Sequence, residues 1–261
     1  MEIQHRHIIL TGAASGIGQA LLELLSAYPT QIIATDIEQA RLQKTIADIK
    51  KPKGKIHPFI SDLSTSQGVD ALFDFAIEKM ATLDLFIANV GFPYYEIQKK
   101  ADWQHNQAIF HLNTLSPLYS FQKMVELNPA REFKVVMNAS AMALMAMPGY
   151  ALYSATKAAL HRFAEAARIE LRDAHQLMLV YPIATRTRFF EVASQNTPIP
   201  WPSQSPQQVA KSIQKGIEKD KLSVSPSFIF SLILFLDRFQ PFIRRAYQWY
   251  YARLLKKEKH Q

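Results

Sequence analysis

The chain has 261 residues, 48% of them apolar and 20% charged, a composition typical of one large folded domain. It contains no cysteine, which excludes disulfides, thiolate metal sites and cysteine nucleophiles. The net charge is +8, but residues 238–261 carry +6 of it, so the nearly neutral remainder argues against a nucleic-acid-binding protein.

Short apolar runs alternate with longer amphipathic stretches along most of the chain. The predicted strands are His7–Leu10, Gln31–Thr35, Ile56–Ile60, Leu83–Ala88, Lys134–Asn138 and Leu177–Tyr181. The predicted helices between them include Gly16–Tyr28, Gln39–Lys50, Ser66–Ala81 and Ala151–Ala174. Strands that are apolar throughout and separated by helices indicate parallel βαβ units. With right-handed crossovers, these units predict an α/β fold with a doubly wound parallel sheet.

The turn after the first predicted strand is rich in glycine. Its sequence, TGAASGIG at 11–18, leads directly into the first predicted helix. Glycines let a pyrophosphate approach the backbone, and a helix N-terminus offers free N–H groups to it. A tight turn without a ligand is the alternative. We predict a dinucleotide-binding site in which the turn contributes Gly12, Ser15, Gly16, Ile17 and Gly18.

Asp36 ends the second predicted strand, about twenty residues beyond the glycine turn. A carboxylate at this point accepts hydrogen bonds from the adenosine ribose and repels a 2′-phosphate. The alternative is a helix-capping aspartate, and Arg41 is a cation that complicates the choice of cofactor. We expect NAD rather than NADP.

An ordered set of motifs resembles the short-chain dehydrogenase/reductase family over residues 6–190. The motifs are TGAASGIG at 11–18, Ala88-Asn89-Val90-Gly91, Asn113, Ser140 and Tyr153-Ser-Ala-Thr-Lys157. The resemblance implies a Rossmann-like fold, a homodimer or homotetramer, and an NAD(P)-dependent oxidoreductase that interconverts an alcohol and a ketone.

Tyr153 and Lys157 are four residues apart, so on a helix they share one face. A phenol has a pKa of roughly 10, too high for a base near neutrality. A nearby ammonium and an oxidised nicotinamide ring both favour the phenolate. Tyr153 is therefore the predicted acid/base for proton exchange with the alcohol or ketone. The alternative is an ordinary surface pair of side chains on a helix.

The resemblance implies further roles for single residues. Ser140 would hold the substrate oxygen, Lys157 would also bind the nicotinamide ribose, and Asn113 would support a proton relay. Further cofactor contacts would come from Asn89, Gly91, Asp62, Leu63, Pro182 and Thr187. Asp62 is alternatively a helix cap, and Thr185 competes with Thr187. The chain departs from the family pattern at Ala88 and Ile183. No metal is expected, because the phenol and Ser140 supply what a Lewis acid would.

The segments expected around the nicotinamide are apolar: 92–95, 142–147, Phe189, Phe190 and Trp201. They predict a hydrophobic alcohol or ketone, unless these side chains only fill the core. A catalytically silent dinucleotide-binding sensor or scaffold is the alternative function. A lyase or epimerase is a third reading, although little chain remains for a sugar-nucleotide domain.

The C-terminal part is predicted to be a separate extension, residues 223–261, of the domain formed by residues 1–222. Phe228–Leu236 is apolar but too short to cross a bilayer, and a basic, aromatic-rich amphipathic helix follows. Such a helix is typical of peripheral membrane contact, here through 228–257. Packing on the domain or on a partner subunit, and docking of another protein, are the alternatives. No secretory signal is visible, so we expect a cytoplasmic protein, peripheral at the inner face of a membrane.

Overall fold

The computed structural model describes residues 1–189, 201–237, Ala246, 248–250 and Arg253. Its described residues form a parallel sheet of seven strands with helices on both faces. The strands are β1 His7–Thr11, β2 Gln31–Asp36, β3 Lys55–Ile60, β4 Leu85–Ala88, β5 Lys134–Asn138, β6 Leu177–Val180 and β7 Ser223–Val224.

The sheet order is β3-β2-β1-β4-β5-β6-β7, and every neighbouring pair is parallel. The chain therefore winds outward from β1 in both directions, which confirms the predicted doubly wound α/β fold. Ligands bind such sheets beyond the carboxyl ends of the strands, where the strand order reverses. Here that point lies between β1 and β4.

The seventh strand lies at the point where the sequence predicts the boundary between the domain and its extension. Ser223 and Val224 pair with Leu179 and Val180 of β6, so the sheet continues into the segment predicted as an extension. A two-residue strand has no periodicity, and its pairing is set by the neighbouring edge of the sheet rather than by its own sequence.

The helices are α1 Gly16–Ser26, α2 Gln39–Asp48, α3 Ser66–Lys79, α4 Trp103–Phe110, α5 Ser116–Leu127, α6 Ala151–Glu170, α7 Pro206–Glu218 and α8 Phe228–Asp237. The four predicted helices begin at the predicted residues and end two to four residues earlier. A π-helical turn at His111–Leu115 joins α4 to α5. Polar caps start several helices; Thr65, for example, accepts a hydrogen bond from the Gly68 N–H at the start of α3.

Two apolar layers hold the helices on the sheet. On one face, Ile9 and Ile33 lie in a cluster with the buried sides of α3, α5 and α6. On the other face, Ile8 and Ile32 pack with α1 and α7. Alternate strand residues thus point to opposite faces, as the geometry of a strand requires.

Helix α8 covers the stretch that the sequence analysis treated only as an apolar run. Phe230 is buried, whereas Phe228 and Phe235 on the same helix are exposed. Among the described residues, no helix is both long and apolar enough to span a bilayer. Most of the predicted amphipathic helix, including Phe239, Phe242 and Leu254, lies outside the described residues.

Candidate active site

The glycine turn lies at the carboxyl end of β1 and adopts a backbone that needs glycine. Gly12 and Gly16 have φ of 65° and 56°, in the left-handed region. A Cβ on Gly18 would lie 1.9 Å from the Gly12 carbonyl oxygen. Gly18 is therefore needed for the close packing of the turn on itself, and a Cβ on Gly12 or Gly16 would press against Val90 or Thr187.

Hydrogen bonds between Thr11 and the residues that follow β4 hold this turn in place. The Thr11 hydroxyl accepts hydrogen bonds from the Asn89 and Val90 N–H groups, at 2.9 and 3.1 Å. The Asn89 side-chain amide donates to the Thr11 and Gly12 carbonyls and accepts from the Asn138 amide, at 3.0 Å. Asn89 therefore ties β1 to β5 across β4 and sets the shape of the turn.

The first turn of α1 is suited to bind an anion. Its N-cap, Ser15, makes no capping side-chain hydrogen bond, and the turn contains no acidic residue. The N–H groups and the positive end of the helix dipole thus remain available for phosphate.

Asp36 lies beside this turn at the end of β2. Its carboxylate accepts hydrogen bonds from the Ala14 N–H at 3.0 Å and the Glu38 N–H at 3.2 Å. Arg41 forms an ion pair with Glu38 close by. The cation that the sequence singled out near Asp36 is therefore already paired with an acid.

One cavity of about 370 Å³ runs along the carboxyl ends of the strands. It is lined by most of the predicted site residues: Gly12, Ser15, Gly16, Ile17, Asp36, Asn89, Gly91, Ser140, Tyr153, Lys157, Pro182 and Thr187. The predicted residues Gly18, Asn113, Asp62 and Leu63 do not line it. The cavity joins the glycine turn at one end to Tyr153 at the other.

Tyr153 and Lys157 lie one turn apart on α6, both buried, at 7% and 4% exposure. The Lys157 Nζ lies 5.7 Å from the centre of the Tyr153 ring and donates to the Asn138 carbonyl at 3.0 Å. This is not the exposed surface pair of the alternative interpretation.

Burial controls the ionisation of both groups. It raises the pKa of Tyr153 above its ordinary value, and a hydrogen bond with Ser140 lowers it in part. It also lowers the pKa of Lys157, to about 8. The depressed phenol pKa expected from the sequence is thus not found in the cofactor-free protein, because desolvation disfavours a buried phenolate.

Ser140 follows β5 and starts a short 3₁₀ turn, where its hydroxyl accepts from the Met142 N–H at 3.0 Å. The backbone beyond is anchored by the Ala141 N–H, which donates to the Pro182 carbonyl at 2.8 Å. The loops that follow β5 and β6 are therefore hydrogen-bonded to each other, although Ile183 stands where the family commonly has glycine.

Asn113 lies behind the cavity wall in the π-helical turn and is completely buried. Its side-chain amide donates to the Phe92 carbonyl at 2.8 Å and accepts from the Phe92 N–H at 3.0 Å. A Cβ on Gly91 would lie 2.9 Å from Asn113 Oδ1 and 3.4 Å from Lys157 Nζ. Asn113 thus fixes the loop after β4, directly beside the lysine.

Asp62 and Leu63 lie after β3, at the far end of the sheet. Asp62 is exposed and accepts from the Ser64 N–H at 2.9 Å, and Leu63 is part of the core. Thr65 rather than Asp62 is the N-cap of α3, so the helix-cap alternative for Asp62 is wrong, and its carboxylate instead closes a turn with Ser64.

Thr187 lies against the turn, because a Cβ on Gly16 would come within 2.9 Å of its Cγ2 atom. Thr185 also lines the cavity, but its hydroxyl donates to the Ile183 carbonyl and accepts from Gln204. Of the two threonines, Thr187 is the one beside the glycine turn.

Several cavity residues were not predicted as site residues. Glu38 and Ile37 line it next to Asp36, and Asn138 supplies both a carbonyl to Lys157 and an amide to Asn89. Asn138 Oδ1 is buried without a partner among the described atoms. Only the position of Asn138 at a strand end, two residues before Ser140, signalled it in the sequence.

The other end of the cavity is apolar. Phe92, Met142 and Phe189 line it beside Tyr153, and the Phe189 ring packs edge-on against Tyr153 with centres 5.2 Å apart. Trp201 is exposed and does not line the cavity, and the predicted Phe190 lies outside the described residues. Within the described part of the chain, no group of three or more His, Asp or Glu could hold a metal ion.

Comparison with known proteins agrees with this geometry. Residues 6–198 match the family described as short chain dehydrogenase. The uncharacterised oxidoreductase DltE of Bacillus subtilis is 27% identical over 66% of this chain and 68% of its own. Two other curated relatives are matched over 62% and 65% of their lengths, so the chain spans about two thirds of such relatives.

Two solved structures share the fold. A short-chain dehydrogenase/reductase from Burkholderia phymatum, in complex with NAD, has a TM-score of 0.79 at 17% identity, over 94% of this chain and 96% of its own. A short-chain dehydrogenase from Sphingobium yanoikuyae, in complex with NADPH, has a TM-score of 0.77 at 18% identity, over 85% and 88% of the two chains.

Proposed function

The chain belongs to the short-chain dehydrogenase/reductase family of NAD(P)-dependent oxidoreductases, and from this premise we propose that it interconverts a hydrophobic secondary alcohol and a ketone. One observation carries the proposal. Ser140, Tyr153 and Lys157 are buried in the wall of the same cavity that the glycine turn and Asp36 line at its other end. A dinucleotide bound along this cavity would reach from Asp36 to Tyr153.

The residues present fit a nicotinamide dinucleotide. The glycine turn lines one end of the cavity, and the start of α1 there offers N–H groups to a pyrophosphate. Asp36 would accept from the ribose of the adenosine, and Lys157 would donate to the ribose of the nicotinamide. When bound, the cofactor accepts a hydride from an alcohol or supplies one to a ketone.

The chain's own residues would manage the proton. Ser140 would donate a hydrogen bond to the substrate oxygen and hold it next to the Tyr153 hydroxyl. In alcohol oxidation Tyr153 Oη takes the hydroxyl proton; in ketone reduction it gives a proton to the oxygen. Lys157, when charged, favours the phenolate that must form during this exchange. Asn113 would keep the lysine and the adjoining loop in position.

We assign NAD as the preferred cofactor. The Asp36 carboxylate would repel a 2′-phosphate, and the cation that could attract one, Arg41, is paired with Glu38. Relatives in the fold bind either NAD or NADPH, so the family alone does not decide the preference.

The competing function is a sensor or scaffold that binds the dinucleotide without turnover. The buried arrangement of Tyr153 and Ser140 in one wall of the cavity favours the enzyme, because a protein that only binds the dinucleotide needs no acid/base beside the nicotinamide.

A spectrophotometric assay tests the proposal. Purified wild type and Tyr153→Phe are compared for oxidation or reduction of NAD(H) with hydrophobic and polar ketones and alcohols. We expect turnover by the wild type and a loss of about 10²–10⁴-fold in the variant, with unchanged NADH binding. Tight NADH binding by the wild type without turnover of any substrate would contradict the enzyme and support the sensor.

We also propose that the C-terminal part contacts an anionic membrane surface. The exposed face of α8 is apolar, and the residues after it supply the cations that such a surface attracts. The homodimer or homotetramer implied by the resemblance also stays a prediction, and light scattering of the purified protein checks it.

A further inference from the structure

A second cavity, of about 80 Å³, lies beside the first and under α8. The two cavities share one wall, formed by Ser140, Met142, Pro182, Ile183 and Ala184. The other residues around the smaller cavity are Ala141, Met145, Met147, Pro202, Phe230 and Ile233. It thus extends from the side of Ser140, away from the glycine turn.

The lining of the smaller cavity is chemically uniform. It contains no charged side chain among the described residues, and Ser140, at its mouth, supplies the polar group. An apolar cavity of this kind does not hold water well and accepts apolar ligands. Three methionines line it, and their flexible side chains adapt to an unbranched chain.

Helix α8 forms the outer wall of this cavity. Phe230 is 3% exposed and packs with Ala141 and Met145. Ile233 follows one turn later and also lines the cavity. Its neighbour Leu232 is 46% exposed and does not line it. The inner face of α8 is therefore distinct from the face proposed to meet a membrane.

We propose that the smaller cavity holds the unbranched alkyl chain of the substrate. The alcohol or ketone carbon would then lie between Ser140 and Tyr153, and the chain would pass Met142 to end against Phe230. A chain fits better than a ring system, because this cavity is much smaller than the cavity at Tyr153. This inference rests on the proposed function.

The first test compares unbranched 2-ketones, from butan-2-one to dodecan-2-one, with NADH as reductant. In the wild type, kcat/KM should rise about fourfold for each methylene that enters the cavity. Ile233→Trp, which fills the cavity, should abolish this rise, so that kcat/KM no longer depends on chain length. Leu232→Trp, the matched control on the outer face, should behave as the wild type. If Ile233→Trp does not fold, Met145→Phe replaces it.

A binding experiment distinguishes a failure of this inference from a failure of the proposed function. Titration calorimetry with decan-2-ol uses the cofactor-free protein and needs no turnover. We expect binding by the wild type and Leu232→Trp, and at least tenfold weaker binding by Ile233→Trp. Butan-2-one turnover with a flat chain-length profile and equal decan-2-ol binding by all three proteins would overturn the alkyl-chain site alone. Selective loss of decan-2-ol binding, with no turnover of any ketone, would overturn the proposed reaction alone.

Discussion

The two ends of the catalytic cavity are built in different ways. At the cofactor end and behind Lys157, hydrogen bonds with fixed directions join Asn89, Asn113 and Lys157 to specific backbone groups and Asn138 to the Asn89 side chain. At the substrate end, apolar side chains such as Met142 only fill space. A hydrogen bond restricts which residue type fits a position, whereas apolar packing accepts many side chains of similar volume.

The largest effect on stability should come from removing the side chain of Asn113, which is completely buried. Asn113→Ala would leave the Phe92 N–H and carbonyl without their partner and remove the contact with Thr156. We expect the free energy of unfolding to fall by about 3 kcal/mol, measured by urea denaturation. Gln107→Ala, on the exposed side of α4, is the control and should change it by less than about 0.5 kcal/mol. Equal losses in both variants would show that Asn113 does not hold the loop.

The same difference explains which parts of the site were predictable. Gly12, Gly16, Tyr153 and Lys157 were predicted because the turn and the helix fix their spacing, and Ser140 was assigned by resemblance. The sheet was predicted because its buried strands are apolar throughout. Asp62 was assigned to the cofactor only by resemblance, and it lies outside the cavity lining.

The second prediction concerns the cost of burying Lys157 in the cofactor-free protein. Its pKa falls from 10.5 to about 8, so between these values the folded state binds fewer protons than the unfolded state. Stability should therefore rise with pH across this window, by about 3 kcal/mol at most. Lys157→Met lacks this rise. Urea denaturation of both proteins at neutral pH and near pH 10.5 measures the difference. A difference independent of pH would contradict the lowered pKa.

The third prediction sharpens the role of Asp36. Asp36→Asn removes the charge that would repel a 2′-phosphate, so the NAD-to-NADP ratio of kcat/KM should fall about thirtyfold, a change worth roughly 2 kcal/mol. Steady-state kinetics with both cofactors measures the ratio. Asp62→Asn is the matched control and should leave it unchanged. A similar fall in the control would show that the ratio responds to the loss of any surface carboxylate rather than to the charge of Asp36.

The substrate end was less predictable for a physical reason. The apolar run at 228–236 is compatible with packing on the domain and with contact with a membrane, since both bury apolar side chains. The structure divides the run by face: Phe230 is buried against Met145, whereas Phe228 is 81% exposed. Only tertiary contacts reveal that division.

The smallest expected effect tests the outer face of α8. Phe228→Ser removes one exposed aromatic ring, so the free energy of unfolding should stay within about 0.5 kcal/mol of the wild type. Binding to phosphatidylglycerol–phosphatidylcholine vesicles, measured by flotation of the full chain, should weaken about tenfold, because the ring would otherwise be buried in the lipid interface. Trp103→Ser removes another ring that is 75% exposed, on α4, and should leave flotation unchanged. If both variants float as the wild type does, α8 does not face the membrane. Its outer face would then be an ordinary exposed surface that accepts many side chains.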